Sequence, residues 1–269
     1  MNQIEHIQKT VYKILVEFDR VCSEIGVKYS LEGGTLLGAV KYHGFVPWDD
    51  DIDVIMLRKD YDLFLSKAPS LLHNCFYLQN YHIVPTFPLS YSKLCIENTE
   101  IYDYMYSDIP GMRHGLFIDI FPIDNCKDDK IVFQRRVIGL LTSSRAKKQN
   151  LPCGGGWKSI VRSIISVLPL ETINRLIDYY CTLYNEENTD FRYEICNATE
   201  KFKPLRASLY NEYMKIQFLD GEFWAVRDYD YFLRNRFGNN YRDELPPEKD
   251  RKISHFHKIM IDGIRYEDK

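Results

Sequence analysis

The sequence predicts a mixed α/β fold, a strand-rich first half followed by a helical segment that breaks at glycines. Two observations carry this. Short runs rich in β-branched and aromatic residues alternate with turn residues up to about residue 121, and apolar residues recur at helical spacing before and after them. Taken in order, Ile4, Ile7, Val11, Ile14, Leu15, Phe18, Val21, Cys22 and Ile25 mark a first helix over 4–25 that stops at Gly26. Lys28–Glu32 reads as a short strand ending at Gly33-Gly34, and Thr35–His43 as a helix with Thr35 as its N-cap. Pro47-Trp48 is a rigid turn before a strand at Asp51–Met56 and a helix from Arg58 to Lys67. Strands follow at Phe76–Asn80, Ser90–Glu97 and Leu116–Phe121. Two helices, near 129–149 and 157–186, are separated by Leu151-Pro-Cys-Gly-Gly-Gly156. The last part holds a hairpin, Lys215–Phe218 and Phe223–Val226 about Asp220-Gly221, and a helix at Tyr229–Phe237.

Composition narrows the classes. With 45% hydrophobic residues, 269 residues bury a core without disulfides or structural metal, which removes disordered and fibrous readings. A net charge of −3 and a pI near 6.2 argue against a nucleic-acid partner. The seven cysteines never form C-x-x-C, so reduced thiols are expected, not a disulfide framework or zinc cluster. The charged N-terminus does not read as a signal peptide, and no run reaches the ~20 apolar residues that span a bilayer. The expected location is cytoplasmic, or peripheral on the inner membrane face.

Chemistry concentrates in Pro47-Trp-Asp-Asp-Asp-Ile-Asp-Val-Ile-Met56. In a strand, Asp51 and Asp53 share one face while Ile52 and Val54 enter the core. Neighbouring carboxylates repel unless a cation lies between them, and oxygen ligands suit Mg²⁺ or Mn²⁺. A solvated acidic turn is the plainer alternative, but the apolar residues that follow at once argue against it. Asp119 lies in the otherwise apolar Gly115-Leu-Phe-Ile-Asp-Ile-Phe121, and a buried carboxylate needs a metal or a donor. Asp51, Asp53 and Asp119 together read as a metal site that handles phosphoryl oxygens, with one carboxylate taking a proton. Leu31-Glu-Gly-Gly-Thr-Leu-Leu-Gly38 adds paired glycines at a strand-to-helix junction, where backbone N–H groups reach a phosphate. Ala39-Val40 stands where a P-loop needs Lys-Ser/Thr, and G-x-G-x-x-G is absent.

Gly33-Gly-Thr35, Asp51-x-Asp53 and Asp119 together resemble the nucleotidyltransferase fold of the polymerase-β type. The longer phrase GGTLLGAVKYHGFVPWDDDIDVIMLRKDY closely resembles the LicD family, which includes fukutin-related proteins; HGLFIDIFPID and RNRFGNNYRDELPPEKDRKISH resemble its later blocks. The resemblance implies a mixed sheet flanked by helices, with an added helical segment. The chain is expected to divide into a catalytic core over 1–127, a basic helical insertion over 128–210 outside the resemblance that would face the acceptor or a membrane, and a hairpin and helix over 211–269 that complete the core. The resemblance implies Mg²⁺- or Mn²⁺-dependent transfer of a phospho-alcohol such as phosphocholine from a CDP-activated donor. The acceptor would be a hydroxyl of a cell-surface glycan, such as lipopolysaccharide or teichoic acid, or of its lipid-linked precursor. Asp51, Asp53 and Asp119 would be catalytic metal ligands, and Gly33, Gly34 and Thr35 would cradle donor phosphate. Lys41 stands where the family often has Arg, keeping charge without the bidentate fork. Lys93 resembles a lysine facing donor phosphate, with a solvated lysine as the alternative. Nucleotidyl transfer to a sugar or small molecule, and an inactive nucleotide-binding module, are the competing functions.

Asp49 shares the parity of Asp51 and reads either as support for the metal site or as a turn cap. His255 and His257 read as a metal pair or as structural or solvent-facing residues, and Trp48 as a brace for the acidic strand. Residues 130–170 carry eight Lys and Arg and no Asp or Glu. With Trp157, Ile160, Val161, Ile164, Ile165, Val167 and Leu168 among them, the segment reads as an interfacial helix on an anionic leaflet. The alternative is an amphipathic helix packed on the core.

Overall fold

The computed structural model describes residues 2–102, 105–106, 108–153, 158–197, 202–243, 256 and 258–267. Helix α1, Gln3–Ile25, begins in a capping box between Asn2 and Glu5 and ends at Gly26 in the left-handed region. Strand β1 is only Ser30–Leu31, since Glu32 becomes the N-cap of α2, Gly33–Tyr42. Then come β2, Asp53–Leu57, and α3, Arg58–Leu71. Strands β3 (Phe76–Gln79), β4 (Ser92–Ile96), β5 (Thr99–Ile101) and β6 (Phe117–Cys126) follow. The helical segment comprises α4 (Ile131–Lys148), α5 (Lys158–Ile165) and α6 (Leu170–Thr182). The remainder holds β7 (Phe191–Tyr193), β8 (Leu205–Arg206), a 3-10 turn at Ala207–Asn211, β9 (Tyr213–Phe218) and β10 (Gly221–Val226). Helix α7 (Tyr229–Phe237) and strands β11 (Lys258–Ile261) and β12 (Ile264–Glu267) complete it.

The main sheet runs β1-β2-β6-β4-β3, with β7 on the far end of β6 and β8 on β7. Only β2 and β6 are parallel; the other pairings are antiparallel. The mixed α/β expectation therefore holds. One sheet face is apolar: Ile52, Val54, Leu94, Ile118 and Ile120 are fully buried. Helix α3 lies on that face, where Tyr61 hydrogen-bonds Ser92 at 2.6 Å, and α1 packs against α3, β4 and β6. Burying a large aliphatic side chain contributes roughly 1.5–3 kcal/mol, so this face anchors the strand register.

Several expectations shift. The helix expected over 157–186 is two helices, because Pro169 has no N–H to continue the first and instead caps α6. Strand β6 extends five residues past Phe121, through Pro122. The proline falls after β4 pairing ends at Ile120 and before β7 pairing begins at Asp124. Strands β5, β7, β8, β11 and β12 are too short to leave a periodic signal. All seven cysteines are free. Trp157, Gly154–Gly156, His255 and His257 lie outside the described residues.

Candidate active site

Strand register assembles the site. Asp53 on β2 sits opposite Asp119 on β6, Asp119 opposite Lys93 on β4, and Lys93 opposite Gln79 on β3. Directly paired residues share a sheet face, so these four form one polar row across the face opposite α3. The Lys93 ammonium bonds the Asp119 carboxylate and lies 3.2 Å from the Phe117 ring centroid, with both side chains mostly buried. Lys93 thus faces a carboxylate of the row, where the resemblance implied a donor phosphate.

The start of α2 meets the same row. The Thr35 hydroxyl accepts from the Asp53 amide at 2.9 Å, and the Glu32 amide donates to the Asp53 carbonyl at 3.0 Å. Thr35 therefore does not cap the helix; it fixes the backbone of β2. A Cβ on Gly34 would come within 2.5 Å of Asp49 Oδ2, and one on Gly33 would lie 3.9 Å from Asp53 Oδ2. Gly33 also takes a positive φ of 47°. The glycine pair makes room for carboxylates at the positive end of the helix. Lys41 is in the last turn of α2, roughly 12 Å along the axis from Gly33, and donates to the Tyr241 carbonyl at 3.1 Å. The structure does not bring Lys41 to the row.

The carboxylates disturb one another. Burial, then the Asp51 charge and a hydrogen bond with Asp51, push the Asp49 carboxyl up to about 9. Burial, then Asp51 and Asp119, drive Asp53 well above the usual range. Asp49 is thereby a member of the cluster. The donor set is all oxygen and self-repelling, which fits a hard divalent cation. Among the described residues, however, no three His, Cys, Asp or Glu side chains converge closely enough to hold a metal. Asp119 is engaged by Lys93, and Asp51 precedes β2, in the loop, where the sequence placed it inside the strand.

Sequence reasoning missed Glu32. Its carboxylate is buried and pairs at 2.9 Å with Arg236 of α7, which also bonds Glu194. Burial raises the Glu32 pKa and Arg236 opposes that, while Oε2 has no hydrogen-bond partner. The only available signal was a glutamate directly before the paired glycines. A cavity of about 410 Å³ opens beyond the β4 side of the row, lined by Tyr91, Tyr106 and Arg145 among others.

Residues 26–138 match the family model described as LicD/FKTN/FKRP, nucleotidyltransferase domain. The chain is 25% identical over 262 residues to the lipopolysaccharide cholinephosphotransferase LicD of Haemophilus influenzae, covering 94% of this chain and 96% of that protein. A 51-residue stretch is 35% identical to an uncharacterised protein of Rickettsia prowazekii, 19% of each chain. An uncharacterised protein of Rickettsia typhi matches equally, over 19% of this chain and 16% of that one.

Proposed function

We propose that this protein transfers a phospho-alcohol, phosphocholine or a close analogue, from a CDP-activated donor to a hydroxyl of a cell-surface glycan or its lipid-linked precursor. The observation that carries this reading is the row Asp53–Asp119–Lys93 laid against the N-terminus of α2. The likeness to a lipopolysaccharide cholinephosphotransferase over nearly the whole chain supports it, as does the oxygen chemistry of the cluster. The fold proposed for the core is the nucleotidyltransferase type.

In this mechanism Asp51, Asp53 and Asp119 would be the residues to hold Mg²⁺ or Mn²⁺, which would supply neutralisation of charge on the phosphoryl oxygens. The first amides of α2, at Gly33, Gly34 and Thr35, orient the donor diphosphate. Lys93 fixes the Asp119 carboxylate, which takes the proton of the acceptor hydroxyl. The acceptor oxygen bonds to phosphorus, the bond from phosphorus to the CMP oxygen breaks, and CMP leaves with that electron pair. Incubation with CDP-choline, other CDP-alcohols and nucleoside triphosphates tests this. CMP release that requires an acceptor is expected. Pyrophosphate release would instead assign nucleotidyl transfer, and neither product would leave a binding module.

Delivery of a lipid-linked acceptor calls for a membrane-facing surface. Among the described residues no helix is long and apolar enough to cross a membrane. Helix α5 and the turn after it nonetheless expose Ile160, Ile164 and Val167 by 69%, 68% and 80%, along one face. Ser163 and Ser166 on the other side receive Lys147 and Lys148 of α4. Of the eight basic residues over 130–170, Arg145 and Arg162 are buried and Lys147 and Lys148 tie α4 to α5, which leaves Lys130, Arg135, Arg136 and Lys158 for an anionic leaflet. This α5 face is proposed to rest on the inner leaflet. Co-sedimentation with anionic vesicles at low salt, lost at high salt and in Ile160→Ser/Ile164→Ser, is expected. Equal partition to neutral vesicles would return α5 to ordinary packing.

A further inference from the structure

The cavity beside the row has a feature that the transfer reaction leaves unused. Arg145 lines it and is 1% exposed. Its hydrogen bonds run to the Asn174 side-chain oxygen at 3.0 Å, the Pro88 carbonyl at 2.5 Å and Ser90 Oγ at 2.9 Å. All three acceptors are neutral, and Nε has no partner. Asp178, an acid within electrostatic reach, spends its carboxylate on the Tyr81 hydroxyl. A guanidinium taken out of water without a carboxylate costs several kcal/mol, a cost that an incoming anion offsets. Burial accordingly lowers the Arg145 pKa to about 10.

The rest of the lining suits a ring with hydroxyls. Tyr91 and Tyr106 supply aromatic faces, and Ser90, Thr142 and Ser143 supply hydroxyls. The volume, about 410 Å³, falls in the range of small-molecule sites. Position relates the cavity to the row. Tyr91, just before β4 and two residues from Lys93, packs on Phe121 with ring centroids 4.3 Å apart and the rings tilted by 44°. The Lys93 ammonium lies 5.6 Å from the Tyr91 ring. Helix α2 and its glycines pack on β2, at the other end of the row. The α2 glycines thus lie at the β2 end of the row, and Tyr91 of the cavity lies beside Lys93 at the β4 end.

We infer that this cavity is the acceptor subsite and takes a sugar carrying a negatively charged substituent, a phosphate or a carboxylate, against Arg145. The inference rests on the transferase reading for the word acceptor, while binding itself is measurable without turnover. Calorimetric titration of the full chain with glucose 6-phosphate, glucuronate, glucose and CMP is the test. Both charged sugars should bind at least ~10-fold more tightly than glucose, since a charged hydrogen-bond partner is being satisfied. Which of the two binds more tightly tells phosphate from carboxylate. Arg145→Gln should erase the difference between charged and neutral sugars. Ala146→Phe fills the cavity and leaves Arg145 in place; it should abolish sugar binding and spare CMP, which keeps the test decisive if Arg145→Gln fails to fold. Charged-sugar binding unchanged in Ala146→Phe, or no preference over glucose in the parent, would overturn the anionic subsite. Competition between CMP and glucose 6-phosphate would overturn its assignment to the acceptor. Failure of CMP release from CDP-choline, with sugar binding intact, would sink the transferase reading alone.

Discussion

Strand β6 carries two aspartates five residues apart on opposite faces of one sheet, and their surroundings are opposite in kind. Asp124 is fully buried on the α3 side, where Arg58 grips it with bonds of 2.8 and 2.6 Å and Asn185 adds a third at 2.7 Å. Its charge is answered by one cation in a forked geometry, and burial drives Arg58 in the first place toward losing charge, an effect that Asp124 overrides. Asp119 is 15% exposed, on a face where Asp53, Asp51 and Asp49 compete for neutralisation and Lys93 supplies a single point charge. One aspartate closes an account between two elements of the fold. The other belongs to a group whose charges are in excess, and an excess of like charge held in place by a rigid register is what a cationic ligand or a transferred proton can use.

The sharpest break between the two comes from Asp53→Asn. We expect loss of at least ~10⁴-fold in CMP release, about 5.5 kcal/mol, with a melting temperature equal to the parent or higher, because a repelling charge is removed. The double variant with Asp119→Asn should be no slower than either single one, since the residues act as a unit. Parent-like turnover in Asp53→Asn would remove the carboxylate row from the chemistry.

Asp124→Asn should do the reverse. Denaturant unfolding should show a loss of about 3–5 kcal/mol, the cost of leaving Arg58 buried with a neutral partner. The activity of the molecules that remain folded should be close to the parent's. A stable but inactive protein would merge the two faces into one functional unit.

Gly34→Ala sharpens the comparison further, since its Cβ would meet Asp49 Oδ2 at 2.5 Å. Displacing that carboxylate should cost roughly tenfold in kcat/KM, about 1.4 kcal/mol, with little change in melting temperature. An equally large fall in stability would mean that the glycine serves packing and not the cluster.

The smallest effect tests whether answered carboxylates behave alike elsewhere. Glu17 is buried, which would raise its pKa, but Arg20 and His73 outweigh that and hold it at about 2. A carboxylate with a lowered folded pKa stabilises fully above its unfolded value, near 4.5, and loses that contribution as pH falls toward 2. The stability gap between the parent and Glu17→Gln should therefore be constant from neutral pH to about 4.5 and close below it. A gap that widens on acidification would contradict this sign.

Much of the molecule is determined by local sequence. The α1 pattern, its stop at Gly26, the strands β2, β3, β4 and β6 and helix α7 follow from apolar spacing and turn residues, and these signals are local by nature. The D-x-D and the glycine pair stand out in the sequence as a candidate site because like charges beside apolar residues are costly anywhere in a fold. Residues 26–138, which contain both phrases, match the LicD/FKTN/FKRP family model. Tertiary structure decided the rest. Register alone could say that Lys93 meets Asp119, that Thr35 holds the Asp53 amide, and that Lys41 lies at the wrong end of α2. Glu32 meets Arg236 across about 200 residues, and Arg145 reaches its cavity from a helix whose sequence reads as merely basic. In FIDIFPID the two aspartates look equivalent; which one is answered depends on the arginine that α3 brings to one face, and no spacing along β6 encodes that.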